Sequence, residues 1–117
     1  LGEHIIGIIE INDRMILTSP EKLKHVILKI CKKCKLNVVG EKYHAFDNPK
    51  GITYCFILSQ SHLVVHTWPE ESKLLFDIFT CSYDKNSEKC ARALAEKLNG
   101  RIISLKRIKI WYYGITK

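Results

Sequence analysis

Ser61, His66 and Cys81 are the residues of this 117-residue chain whose types and spacing could do chemistry together. Ser61 closes Ser59-Gln60-Ser61, a polar break between two apolar, β-branched runs, Ile52 to Leu58 and His62 to Trp68. His66 follows five positions on, and Cys81 ends the next apolar run twenty positions on. A hydroxyl, an imidazole that takes a proton near neutral pH and a thiol are the components of chemistry on a backbone carbonyl. Each also has a plainer explanation. A serine between two strands is ordinarily a turn former. His62 and His66 are four apart and share one strand face, and such a pair is more often a surface or core feature than a metal site. The polar groups nevertheless gather at the two ends of otherwise apolar strands: Ser59, Gln60, Ser61 and His62 at one, His66, Thr67, Trp68 and Glu70 at the other. Polar side chains on buried strands carry a desolvation cost, which raises the weight of a functional reading.

The elements that must position these groups follow from the rest of the chain. His4 to Ile11 reads as a first strand that Asn12-Asp13 ends. Ser19-Pro20-Glu21 is a helix start, with a capping hydroxyl, proline at the first position and a carboxylate in the first turn. Leu23, Val26, Ile27, Ile30, Cys31 and Cys34 then recur at helical spacing. Leu36 to Phe46 reads as a weaker strand and Asp47 to Gly51 as a loop; Ile52–Leu58 and His62–Trp68 form a hairpin, and Leu74 to Cys81 a further strand. The segment 82–87 turns the chain into a second helix with Ala91, Leu94, Ala95 and Leu98 on its apolar side and Gly100 as its C-cap glycine. A last strand runs from about Arg101 to Tyr112. The order β-α-β-β-β-β-α-β predicts a two-layer α+β sandwich, a mainly antiparallel sheet with two helices packed on one face.

Composition narrows the function classes. One domain over residues 1–117 accommodates a single core, and 46% apolar residues exclude a disordered chain. No apolar run reaches the roughly 18 residues needed to cross a bilayer, and the first residues lack a signal-peptide layout, so a cytoplasmic protein without a membrane partner is expected. The formal charge is +7, but the basic residues are scattered from Lys22 to Lys109 without a dense run, which argues solvation rather than nucleic-acid binding. Five cysteines without a secretory signal are expected to be reduced. Cys31-Lys32-Lys33-Cys34 has no second ligand pair and lies on an apolar helix face, so packing is expected there rather than metal or redox chemistry.

The block Ser59-Gln60-Ser61-His62-Leu63-Val64-Val65-His66-Thr67-Trp68-Pro69-Glu70, followed by Phe76-Asp77-Ile78-Phe79-Thr80-Cys81, resembles the signature of the prokaryotic S-adenosylmethionine decarboxylase proenzymes. Leu1-Gly2-Glu3-His4 and Tyr43-His44-Ala45-Phe46 also resemble that family. The resemblance implies a small self-processing enzyme of polyamine biosynthesis. Ser61 would attack the Gln60 carbonyl, and β-elimination would then break the chain into a β chain, 1–60, and an α chain, 61–117. Ser61 would become a pyruvoyl cofactor that forms a Schiff base with the substrate. His66 would take the α-proton in that elimination, Thr53 would assist the intermediate by hydrogen bonding, and Cys81 would be the proton donor in turnover. Glu70 would bind ribose hydroxyls, and Phe46 and Trp68 would stack on adenine. No metal is implied; the partners would be the substrate and a second copy, in a homodimer with active sites near the interface. A turn under strain would hold Ser61 against the carbonyl.

Two departures bear on this. Gln60 stands where the family usually has glutamate, and Thr53 where it has serine. They put the substrate in question more than the reaction, because relatives that decarboxylate arginine or ornithine share the processing machinery. A degenerate member or a basic nucleic-acid-binding α+β module is the rival from another class.

Overall fold

Buried and half-buried residues alternate without a break along His62–Trp68 and Lys73–Thr80, the two-residue period of strands with one dry face. The computed structural model describes residues 2–81, 86–111 and 114–116. Among these it forms seven strands: β1 (Gly2–Glu10), β2 (Val38–Asp47), β3 (Lys50–Leu58), β4 (His62–Trp68), β5 (Lys73–Thr80), β6 (Arg101–Trp111) and β7 (Gly114–Thr116). They make one sheet in the order β2-β3-β4-β5-β1-β6-β7, with every neighbouring pair antiparallel. Helices α1 (Arg14–Thr18), α2 (Pro20–Lys33) and α3 (Asn86–Lys97) supply the second layer. The expected α+β sandwich is therefore the observed architecture. The predicted turn over 82–85, the strand end at Tyr112 and Leu1 lie outside the described residues.

The core forms where the apolar faces of α2 and α3 meet the inner face of the sheet. Leu23, Ile27, Ile30, Cys90, Ala91 and Leu94 pack against Ile5, Tyr54, Phe56, Leu63 and Phe76, all buried. Helix α2 begins as its sequence predicts: the Ser19 side chain accepts from the Lys22 N–H at 3.2 Å and Pro20 opens the first turn. Helix α1 was not expected, since five residues are too few to display a helical period; Asp13 caps it by accepting from Met15 N–H. The helix α3 terminus corrects one expectation. The left-handed residue there is Asn99, with φ of 51°, and not Gly100. Gly100 is small for another reason: a Cβ on it would lie 2.8 Å from the Glu10 carbonyl oxygen.

Two local devices set up the chemistry described below. Gly51 faces Phe46 across the β2–β3 pair, and a Cβ on it would come within 2.6 Å of the Phe46 ring and 2.8 Å of the Thr67 carbonyl oxygen. The missing side chain lets that ring lie down on the outer face of the sheet. Thr67, wholly buried, donates its hydroxyl to the Leu17 carbonyl at 2.8 Å and accepts from the Ile52 N–H at 2.9 Å. One hydroxyl thereby ties α1 to β3 and β4 on the side opposite His66.

Thr67→Val keeps the shape and strands two buried backbone groups, so it should cost about 1–3 kcal/mol. Urea unfolding should show the midpoint falling with an unchanged slope; an unmoved midpoint would mean the hydroxyl is not the tie.

Candidate active site

At one end of the β3–β4 hairpin, Leu58 N–H donates to the Ser61 carbonyl at 2.9 Å, Ser61 N–H donates back at 3.4 Å, and Ser59 N–H donates to the Asn37 carbonyl at 2.9 Å. This is a closed four-residue turn. The strain expected here is not in its backbone dihedrals. The non-glycine residues with positive φ among those described are Lys35, Ser72 and Asn99, and none of Ser59, Gln60 or Ser61 is among them. The turn carries something else: the Cys81 thiol donates to the Gln60 carbonyl oxygen at 3.0 Å. That carbonyl is the one a Ser61 hydroxyl would attack, and a donor on its oxygen stabilises the oxyanion that attack produces. Cys81 is exposed rather than a buried strand residue. Gln60, Ser61 and Cys81 line one cavity of about 140 Å³ with Thr80, Cys34 and Cys90.

The remaining sequence-predicted residues gather at the opposite end of the hairpin. His66 Nδ1 lies 3.2 Å from Thr53 Oγ1, across a β3–β4 register that pairs the two residues directly. The imidazole stacks on Trp68 with centroids 3.8 Å apart and planes 22° from parallel, and Phe46 closes its other side at 5.3 Å. His66 Nε2 is buried with no partner among the described residues. Burial holds the His66 pKa below the ordinary 6.5, while the negative charge of Glu70 pulls it back up. The group is thus neutral at pH 7. In the tautomer whose Nδ1–H donates to Thr53 Oγ1, the Nε2 lone pair is a free base in an aromatic slot.

The structure does not bring these two groups together within one chain. Ser61 and His66 are separated by five residues of one strand, or about 16 Å at the usual rise, and Thr53 moves with His66. The hydrogen-bond donor that reaches the Gln60 carbonyl from the same chain is Cys81, not Thr53.

Sequence reasoning assigned no role to a third cluster. His4 Nδ1 is 2.8 Å from Asp77 Oδ1, and His62 Nε2 is 3.4 Å from Asp77 Oδ2. The available signal was that His4, His62 and Asp77 each lie within a quoted motif; antiparallel registers then bring them to one face of β1, β4 and β5. Of the Cys31–Cys34 pair, Cys31 is buried and Cys34 half-buried. The Cys31 thiol is pushed up to about 11, mainly by burial; Cys90, with its thiol against Cys34, is raised for the same reason. Such thiols are inert.

Comparison with known proteins bears on this geometry. The family model described as S-adenosylmethionine decarboxylase matches residues 3–109. The S-adenosylmethionine decarboxylase proenzyme of Clostridium tetani is 33% identical over 109 residues, covering 93% of this chain and 86% of that protein. The proenzyme of the same name from Archaeoglobus fulgidus is 32% identical over 97 residues, covering 83% and 86%. The crystal structure of the adenosylmethionine decarboxylase of Aquifex aeolicus superposes with a TM-score of 0.76 over 92% of this chain and 86% of that one, at 23% identity, which establishes likeness of fold.

In a pH titration followed by imidazole NMR, His66 should titrate below 6.5, and Glu70→Gln should lower it further by removing the charge that raises it. Because the unfolded chain takes up this proton first, His66 should subtract from stability as pH falls below 6.5. A value at or above 6.5 would contradict the buried, unpaired imidazole.

Proposed function

The chain belongs to the S-adenosylmethionine decarboxylase family, and we propose that it is a self-processing, pyruvoyl-dependent decarboxylase whose active sites are each completed by a second copy of the chain. The observation that carries this reading is the division of the expected machinery. Gln60, Ser61 and Cys81 sit at one end of the hairpin, and Thr53, His66, Phe46, Trp68 and Glu70 belong to the other.

Processing is a sequence of steps on the chain itself. Ser61 Oγ adds to the Gln60 carbonyl carbon while the Cys81 thiol supports the oxygen at 3.0 Å. The Ser61 nitrogen leaves as an amine and an ester replaces the amide. A base then takes the Ser61 α-proton, the Gln60 carboxylate departs, and the dehydroalanine left on the 61–117 fragment hydrolyses with release of ammonia. The base in this reading is His66 Nε2, which is neutral, buried and unpaired. Within a chain it stands about 16 Å away, so it must arrive from a partner. The outer sheet face supports such a partner. It presents Ile6, Ile8, Val64 and Leu75, with Ile57 as much as 55% exposed, and none of the described helices covers it.

The residues present fit the pyruvoyl group. The carbonyl of residue 61 is held by Leu58 N–H, and the adjoining cavity has a thiol on its wall. The pyruvoyl ketone supplies an electron sink for the carbanion that loss of CO₂ leaves behind. Cys81, beside it, donates the proton that ends the reaction. A space of about 140 Å³ is small against the roughly 300–1,000 Å³ of small-molecule sites, which again calls for a second wall. That wall would bring the Phe46–His66–Trp68 ring stack and the Glu70 carboxylate. Aromatic faces beside an acceptor for ribose hydroxyls suit S-adenosylmethionine. The five free thiols support a reducing, cytoplasmic setting, and no described helix is long and apolar enough to cross a membrane.

Coexpression of two dead variants tests both halves of the proposal. Ser61→Ala and His66→Ala should each remain uncleaved alone. Together, the chain carrying His66→Ala should be cut, because its Ser61 meets the partner's intact imidazole. Continued absence of cleavage in the mixture, or normal cleavage of His66→Ala by itself, would contradict a base supplied between copies.

A further inference from the structure

Cleavage between Gln60 and Ser61 would turn residue 61 into the first residue of a free chain, and chain ends fray unless something ties them down. The release of ammonia also removes the Ser61 nitrogen, and with it the 3.4 Å hydrogen bond to the Leu58 carbonyl. Of the two bonds that close the turn, only Leu58 N–H to the residue 61 carbonyl, at 2.9 Å, can outlast processing. The group that must meet the substrate would then depend on its neighbour, His62, for its position.

His62 is held more firmly than the first residue of a strand usually is. Its Nε2 lies 3.4 Å from one oxygen of the Asp77 carboxylate, and the other oxygen is 2.8 Å from His4 Nδ1. Phe79, the direct partner of both His4 and His62 in the sheet, lies against both rings, at centroid distances of 4.5 and 5.6 Å. A carboxylate accepts at both oxygens, so each imidazole needs a single N–H and neither has to be charged. All three polar groups are half-buried, which keeps water from dissolving the contacts entirely.

Resting on the processing reading above, we propose that Asp77 and His4 are positioning residues that act through His62 to hold the pyruvoyl-bearing end of the α chain in register after the backbone is cut. The placement of the three residues fits that task. His4 belongs to the 1–60 fragment, while His62 and Asp77 belong to 61–117, so the clamp spans β1, β5 and β4 and joins the two products of cleavage next to the break. The hairpin ladder pairs β3 with β4 but stops at Ile57 and His62, leaving residue 61 after cleavage with the single bond from Leu58 N–H. Displacement of a reacting group by about 1 Å can cost up to roughly 100-fold in rate, so the clamp affects turnover rather than cleavage.

The test compares wild type, Asp77→Ala, His62→Ala and His62→Gln for cleavage by mass spectrometry, for ketone content with phenylhydrazine, and for kcat and KM. Asp77→Ala and His62→Ala should be cleaved with a full ketone titre, yet lose about 10- to 100-fold in kcat with KM within about threefold. His62→Gln should recover to within about threefold of wild type, because its amide N–H reaches the place of imidazole Nε2. Unchanged kcat in Asp77→Ala, loss of its self-cleavage, or a glutamine variant no better than alanine would each overturn the proposal. Should Asp77→Ala fail to fold, the His62 pair decides. Treatment of wild type with EDTA should leave kcat intact; a loss restored by a divalent cation would make the cluster a metal site and also overturn it. Wild type that never cleaves would instead sink the function proposed above, a distinguishable result.

Discussion

A β-strand advances about 3.3 Å per residue and cannot be shortened. Five residues of β4 therefore keep the Ser61 hydroxyl and the His66 imidazole about 16 Å apart, however the side chains turn. The helices do not bridge that gap, since α1, α2 and α3 all pack on the inner face, where Leu63, Val65 and Thr67 point. His62, Val64, His66 and Trp68 point the other way, onto a face of mixed apolar and polar side chains that none of the described helices covers. The same alternation that builds the core thus leaves His66 and Trp68 on the outer face, while Ser61 lies in the turn before β4 beside the cavity that Gln60 and Cys81 line. A second copy that brings its own His66 to the Ser61 turn, as proposed above, would close a gap that one strand cannot.

Within one chain, the contact that matters at the nucleophile end is the Cys81 thiol on the Gln60 carbonyl. The turn has no left-handed residue at Ser59, Gln60 or Ser61. Under the proposed function, cleavage would rely on polarising the carbonyl and on proximity rather than on a left-handed backbone conformation. Gln60 in place of the family's usual glutamate is tolerable on the same ground, because the thiol meets the backbone oxygen and not the side chain. One sulfur can then serve twice, first as the donor to an oxyanion and later as the source of a proton, since both events take place around residues 60 and 61.

The fold was legible wherever period and punctuation agreed. Ser19, Pro20 and the apolar repeat from Leu23 to Cys34 marked α2, and the Ser59-Gln60-Ser61 break marked the hairpin to the residue. Helix α1 and strand β7 were missed, being five and three residues long and so too short to carry a period. Gly100 was misread because a glycine after a helix has two uses, and here Asn99 takes the left-handed turn while Gly100 makes room for Glu10. The site was legible in its residues but not in its arrangement. The motif names Ser61, His66 and Cys81 without saying which can touch. Contacts such as Cys81 to Gln60 and His4 to Asp77, 21 and 73 residues apart, arise from strand registers that no local pattern encodes. The separation of Ser61 from His66, by contrast, was already implied by placing Ser61 just before the strand that carries His66.

The central claim is that the bond between Gln60 and Ser61 is made to break and that breaking it creates the reactive ketone. An intact mass spectrum of freshly purified wild-type protein tests this most directly. Two masses are expected, one for residues 1–60 and one for 61–117 lighter by one ammonia than the simple hydrolysis product. A single full-length mass that persists in folded protein, or a 61–117 fragment that keeps its serine amine, would contradict it.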